Sequence, residues 1–142
     1  MAIIQTDNAI EALEEDYLYT DTSQLINSGK GLYTAIAIFK DEIICYYKGE
    51  IIEDIESKKR ADNKQDQYFI TLLDGTIMDS KNLHCFAKYA NDAAGFENCT
   101  FKNNAKITLD DTGKVCLISI KKIKVGEEIF CSYGKKYWKK HG

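Results

Sequence analysis

What most constrains this chain is the brevity of its β-rich runs, each closed by glycine, asparagine or aspartate. Proline is absent, so the turns rest on those three residue types. LYTDTSQLI (18–26), LYTAIAIF (32–39) and EIICYYKGEII (42–52) have strand composition. Between the first two, Asn27-Ser28-Gly29-Lys30-Gly31 has the composition of a turn. QYFITLL and TIMD flank Asp74-Gly75, and KITLDD and KVCLISIKKI flank Thr112-Gly113; both pairs predict hairpins. Residues 53–66 are polar and fit a solvated helix or loop. Residues 81–90 predict one short helix, because Leu83, Phe86, Ala87 and Ala90 share a face at helical spacing. Many short strands with one or two short helices predict a mainly β domain with some α.

At 142 residues the chain is long enough for one self-supporting core, and no repeat or linker divides it. An N-terminal lead over 1–17, a short acidic helix or an irregular segment, followed by a single domain over 18–142 is the expected organisation. A net charge of −3 argues against general nucleic-acid binding. The cysteines Cys45, Cys85, Cys99, Cys116 and Cys131 are odd in number and never spaced CxxC. That pattern fits neither a disulfide framework nor a zinc knot, so no metal site and a reducing compartment are expected. The acidic N-terminal stretch lacks the apolar core of a secretory leader, and no apolar run reaches membrane-spanning length. An intracellular protein is expected, nuclear or cytoplasmic, with no membrane partner.

Five segments carry the chemistry. They are Gly29-Lys30-Gly31-Leu32-Tyr33, Tyr46-Tyr47-Lys48-Gly49-Glu50-Ile51-Ile52, Gln67-Tyr68-Phe69 with Thr76-Ile77-Met78-Asp79, Lys88-Tyr89-Ala90-Asn91-Asp92, and Gly126 to Trp138. In order and spacing they resemble the SET-domain family of protein lysine methyltransferases. The first is similar to its GxGLF, the second to EYxGEVI and the third to its tyrosine strand and xIDA. The fourth is similar to RFINH, with Asn98-Cys99 at the PNC end, and the last to GEELTYDYG. The resemblance covers about residues 18–138. It implies a mainly β, β-clip-like fold of small curved sheets, with the C-terminal segment threaded under a loop as a pseudoknot.

The resemblance also implies an enzyme that moves a methyl group from S-adenosylmethionine to a lysine ε-amine of a protein, a histone or another basic protein. The amine must be neutral to attack, so a water-poor channel helps. Transfer is in line, so alignment supplies much of the rate. By position, Tyr133 matches the catalytic tyrosine and Tyr47 the tyrosine of the lysine channel. Tyr68 matches a wall shared by channel and cofactor. Gly29, Lys30, Gly31 and Leu32 match a loop whose backbone meets the methionine part of the cofactor. Asn91 and Asp92 match its Asn-His pair, and Trp138, with Tyr137, matches the aromatic cover. Asp79 and Glu128 are expected to be structural.

Departures from the family pattern bear on these roles. Asp92 replaces a histidine, Ala93-Ala94 replace Ser-Cys, and the stretch Asn91 to Asn98 is one residue longer than the family's. Cys131 stands where Phe or Tyr is common, and a small residue there implies room for higher methylation states. The cysteine-rich zinc tail is missing. The channel would then be closed by Tyr137 and Trp138, by substrate, or by the second subunit of a homodimer. A rival of another class is a SET-fold module, catalytically weak, that only binds a protein or peptide.

Overall fold

The computed structural model of the chain describes residues 3–4, 9–25, 29–65, 69–71, 76–93 and 100–132. Three small sheets organise them. The largest contains β8 (Ala105–Asp110) and β9 (Val115–Ser119), a hairpin that pairs through β9 with β4 (Ile43–Tyr46). The other edge of β8 carries two parallel partners in succession: β11 (Cys131–Ser132) on Ala105 and Lys106, and β1 (Ile3–Ile4) on Leu109 and Asp110. The second sheet is β2 (Leu18–Thr22), β3 (Lys30–Thr34) and β10 (Glu128–Ile129), with β3 central. The third is β5 (Glu50–Ile52), β7 (Ile77–Asp79) and β6 (Phe69–Thr71), with β7 central.

Strand β9 reads Val-Cys-Leu-Ile-Ser and is buried at every position. Such a run has no solvent face, so it must be covered on both sides. One cover is the second sheet: Leu32, Ile44, Leu117 and Ile129 are fully buried in a single cluster with Ile38 and Ile123. Burying each of these side chains contributes about 1.5–3 kcal/mol. Short strands suffice because each one buries its apolar residues against another sheet.

The early segment joins this core. Helix α1 (Glu14–Tyr17) places Tyr17 in the main cluster, where its hydroxyl donates to Ile44 O at 2.6 Å. Ala9 bridges Ile43. The β8–β9 turn is organised by Asp110, whose Oδ1 accepts the Thr112 and Lys114 N–H groups and the Thr112 hydroxyl. Gly113 supplies the φ of 84° that this turn needs.

Three expectations are corrected. Residues 81–90 form no helix; only a 3-10 turn at Ala87–Tyr89 is present. Ala87 and Ala90 are buried as the spacing predicts, but Leu83 is 44% exposed. Here the Lys88 ammonium donates to the carbonyls of Ser80, Lys81 and Leu83, which satisfies oxygens that a helix would have paired internally. In the expected strand over 18–26, the described residues are strand only over Leu18–Thr22, and 23–25 are not. Gly31 lies within strand β3, not in a turn, and its reason for being glycine is steric.

The polar stretch 53–66 contains helix α2 (Asp54–Asp62). β6 and β7 pair antiparallel as the hairpin expectation requires, whereas its Asp74-Gly75 turn lies outside the described residues. Among the described residues no helix is long and apolar enough to cross a membrane.

Candidate functional site

Strand β3 and the C-terminal segment are locked by one carboxylate. Glu128, 1% exposed, accepts the Ser23 hydroxyl at 2.6 Å and the Gln24 N–H at 2.8 Å. The Tyr33 hydroxyl donates to Thr22 O at 2.5 Å and lies 3.2 Å from Glu128 Oε1. Burial, with the Glu128 charge beside it, pushes the Tyr33 phenol up to about 12, so it remains a donor. A Cβ on Gly31 would overlap the Glu128 carboxylate and sit 3.3 Å from Ser23 Cα. Glycine is therefore required at 31 because β10 brings Glu128 against it.

The next link is a crossing. Phe130 bridges Asn91 in parallel, and the Cys131 N–H donates to Asn91 O at 2.9 Å. On the other side, Phe130 O accepts the N–H groups of Asn104 and Ala105 at 2.9 and 3.0 Å. The segment 130–131 thus runs between Asn91 and Ala105, the two ends of one connection. Asn104 fixes it with its whole side chain: Nδ2 donates to Glu128 O at 3.0 Å, and Oδ1 accepts the Phe130 N–H at 2.9 Å. Asn91 Nδ2 reaches across to donate to Lys30 O at 3.1 Å. Residues 30, 91 and 131 are remote in sequence and adjacent here.

Tyr47 completes the group. β4 ends at Tyr46 and β5 begins at Glu50, so Tyr47 lies on the irregular link between two sheets. Its N–H donates to Val115 O at 3.0 Å. Its ring packs on the core cluster near the Cys131 thiol, which itself donates toward Ala90 O at 4.0 Å. Burial holds the Tyr47 phenol well above its ordinary value. Burial also pushes the Cys131 thiol up to about 12, against the opposing pull of Tyr47 beside it. Both groups therefore stay neutral, and together they make an uncharged wall. Beside it lies a cleft of about 460 Å³ bounded by Tyr46, Tyr47, Lys48, Met78 and Val115.

The sequence-predicted residues divide as follows. Lys30, Asn91, Tyr47 and Cys131 converge through the contacts above. Gly29 has a φ of 65° and open space where a side chain would project. Leu32 turns its side chain into the core, and its backbone lies in the sheet between Thr20 and Ile129. Asp92 is mostly buried and accepts Asn103 Nδ2 at 2.9 Å, while Asn103 Oδ1 accepts the Ala93 N–H. Tyr68, Tyr133, Tyr137 and Trp138 lie outside the described residues. Among the described residues no cluster of His, Cys, Asp or Glu has the makings of a metal site.

Several supporting residues escape sequence reasoning: Ser23, Asn103, Asn104 and Cys85. Each is a common residue in a segment without a distinctive pattern. Their partners lie far off in the chain, as Ser23 and Glu128 do, 105 positions apart.

A family model described as the SET domain matches residues 29–134. The chain is 32% identical over 118 residues to histone-lysine N-methyltransferase mes-4 of Caenorhabditis elegans, covering 74% of this chain and 13% of that protein. It is 29% identical over 128 residues to histone-lysine N-methyltransferase EZH2 of Chaetomium thermophilum, covering 81% and 8%. Among solved structures, a humanized mutant of the Chaetomium thermophilum Polycomb Repressive Complex 2 bound to an inhibitor superimposes with a TM-score of 0.67 at 29% identity. That match covers 83% of this chain and 15% of the other. The chain spans less than one sixth of each of these proteins.

Proposed function

Because this chain belongs to the SET-domain family and has its fold, we propose that it is an S-adenosylmethionine-dependent protein-lysine N-methyltransferase. The convergence of Lys30, Asn91, Tyr47 and Cys131 carries this reading. It puts the edge of the Gly29–Leu32 segment, the Asn91 junction and the neutral wall on neighbouring surfaces. Gly29 leaves open space, and Asn91 Nδ2 ties the Lys30 segment to the Asn91 segment beside it. S-adenosylmethionine, when bound, supplies an electrophilic methyl group on sulfur.

The chain's own residues would do the rest. The backbone of Gly29 to Leu32 and the Asn91-Asp92 junction would orient the cofactor, with Trp138 and Tyr137 as its cover. Tyr47, Tyr68 and Tyr133 would line the passage for the lysine side chain. A wall of protonated phenol and protonated thiol offers no charge to stabilise an ammonium, and the same desolvation favours the neutral amine that can attack. The match of Gly126 to Tyr133 to the family's GEELTYDYG segment, within the residues the SET-domain model covers, is the support for placing the Tyr133 hydroxyl beside the reacting methyl. Cys131 leaves room for an amine that already carries methyl groups, so di- or trimethylation is the proposed outcome. The substrate is a protein bearing an accessible lysine. Histones are the first to test, since the matched relatives are histone-lysine methyltransferases.

Labelled cofactor incubated with histones and with cell lysate, followed by mass spectrometry of modified lysines, tests the activity. Tyr133→Phe is expected to lower methyl transfer by about 10²-fold, with cofactor binding by calorimetry little changed. Unchanged turnover would remove Tyr133 from the mechanism. No heat of cofactor binding to the wild-type chain would favour a module that only binds a protein or peptide.

A further inference from the structure

Cys85 belongs to none of the five sequence motifs, yet it brackets Tyr47. It is 1% exposed and sits just before the 3-10 turn at Ala87–Tyr89. Its Sγ accepts the Lys48 N–H at 3.3 Å and donates toward Tyr46 O at 4.0 Å. The peptide groups on either side of Tyr47 therefore meet one thiol.

The link is anchored elsewhere by the pairing of Tyr46 with Cys116, by the Lys48–Glu14 ion pair and by two N–H bonds. Tyr46 N–H goes to Glu14 Oε2 at 3.1 Å, and Tyr47 N–H goes to Val115 O. Gly49 is pressed against Met78 and the Asp79 carbonyl, where a Cβ would collide. The Tyr47 ring packs on the core cluster that also contains the second thiol, Cys131, whose Sγ donates toward Ala90 O at 4.0 Å. Cys45, Cys85 and Cys131 all belong to the core cluster on which Tyr47 packs.

We propose that Cys85 is a positioning residue for Tyr47: its thiol holds the Tyr46–Lys48 backbone so that the Tyr47 ring keeps its place on the core cluster beside Cys131. This rests on the reading of Tyr47 as a wall of the lysine passage. Sulfur suits the place because its contacts are long. It takes an N–H and offers an S–H across a gap that a carbonyl or hydroxyl oxygen would close to about 2.9 Å. Neither contact needs an ionised thiol. Misplacing a reacting group's wall by about 1 Å costs about 10²-fold in rate, and a partial release costs less.

The test uses the full chain with 3-fluorotyrosine incorporated, the Tyr47 resonance being assigned from Tyr47→Phe. Cys85→Ala and Cys85→Val both remove the two contacts, and the valine keeps the core filled if alanine fails to fold. Cys85→Ser keeps a donor and an acceptor. Leu25→Val, a buried truncation in a cluster that contains none of residues 46–48, controls for general loosening. The expected result is a shifted Tyr47 resonance and a kcat lowered about tenfold in the alanine and valine variants. KM for the cofactor should stay within about twofold, since those contacts do not reach its segments. The serine variant should recover part of both changes, and Leu25→Val should move neither. A Tyr47 resonance unmoved in Cys85→Val, or moved equally by Leu25→Val, overturns the proposal. If the wild-type chain transfers no methyl group, the proposed function falls, and the resonance still decides whether Cys85 positions Tyr47.

Discussion

Glu128 and Asp79 are both buried acids on short strands, and the chain satisfies them in opposite ways. Among the described residues Glu128 is held by neutral donors alone: the Ser23 hydroxyl and the Gln24 N–H, with the Tyr33 hydroxyl 3.2 Å away. Asp79, 2% exposed, accepts the Lys81 N–H and meets a cation, Arg60, at 2.8 Å. Arg60 is shared, since it also reaches Glu56 at 2.7 Å and Glu50 at 3.0 Å. The Glu56 pair is an i,i+4 contact within α2, and the other two tie α2 to the third sheet. Glu128 instead sews β10 to β2, β3 and the turn after β2, all beside the candidate site. A charge solvated by neutral dipoles depends on every donor being in place. A charge shared among three carboxylates at the protein edge loses one partner more easily.

The largest expected effect breaks the Glu128 seam. Glu128→Ala leaves the Ser23 and Gln24 donors without their partner and should cost about 3 kcal/mol in urea unfolding. Gly31→Ala should cost about 2–3 kcal/mol by overpacking against the same carboxylate. The two should be strongly non-additive, because removing the carboxylate removes the overlap. If Gly31→Ala proves neutral, the carboxylate is not pinned and the contrast with Asp79 collapses.

Next comes Asp79→Ala, with an unfolding loss roughly half that of Glu128→Ala, since Arg60 keeps Glu50 and Glu56. Arg60→Lys should reproduce most of that loss, because a point-charge ammonium cannot fork toward three carboxylates. Near-complete rescue by lysine would mean that charge alone holds α2 to the sheet.

The smallest effect concerns a third acid. Burial alone would raise Asp110, but the Thr112 hydroxyl, the Lys114 and Thr112 N–H groups and Tyr46 outweigh it, leaving its carboxyl below the usual value. A carboxyl depressed in the folded chain contributes stability that is present above its unfolded value and lost as pH falls through the folded one. The wild type should therefore lose this contribution on acidification below the ordinary carboxylate range. Asp110→Asn should be less stable than wild type near neutrality by about 1 kcal/mol and should approach it in acid. A gap between them that stays constant with pH would show that the charge of Asp110 is irrelevant and only its turn geometry counts.

Much of the secondary structure was legible because its causes are local. The β8–β9 hairpin follows from β-rich runs around Thr112-Gly113, and Gly113 meets the conformational demand of that turn. The helix expected over 81–90 failed because the apolar spacing reports only which residues are buried. Ala87 and Ala90 are buried in a 3-10 turn as well as they would be in a helix. Gly31 was legible as a glycine with a purpose, but the purpose lay with Glu128, nearly a hundred residues away. In the site, motif order pointed to Tyr47, Asn91 and Cys131. Nothing in the chain marked Asn104 or Cys85, whose roles consist of contacts to remote backbone.

By itself the sequence determined the family, the short-strand architecture, and the residue types brought to the site: glycines, tyrosines, an asparagine and a small thiol. Those follow from local preference and from motif order, which are properties of neighbours along the chain. Only the tertiary structure decided that Gly31 makes room for Glu128, that Asn91 spans from Lys30 to Cys131, and that two thiols flank Tyr47. Such pairings arise when the segment 130–131 passes between Asn91 and Ala105. They depend on distances between distant parts of the chain, which packing sets and local composition leaves open.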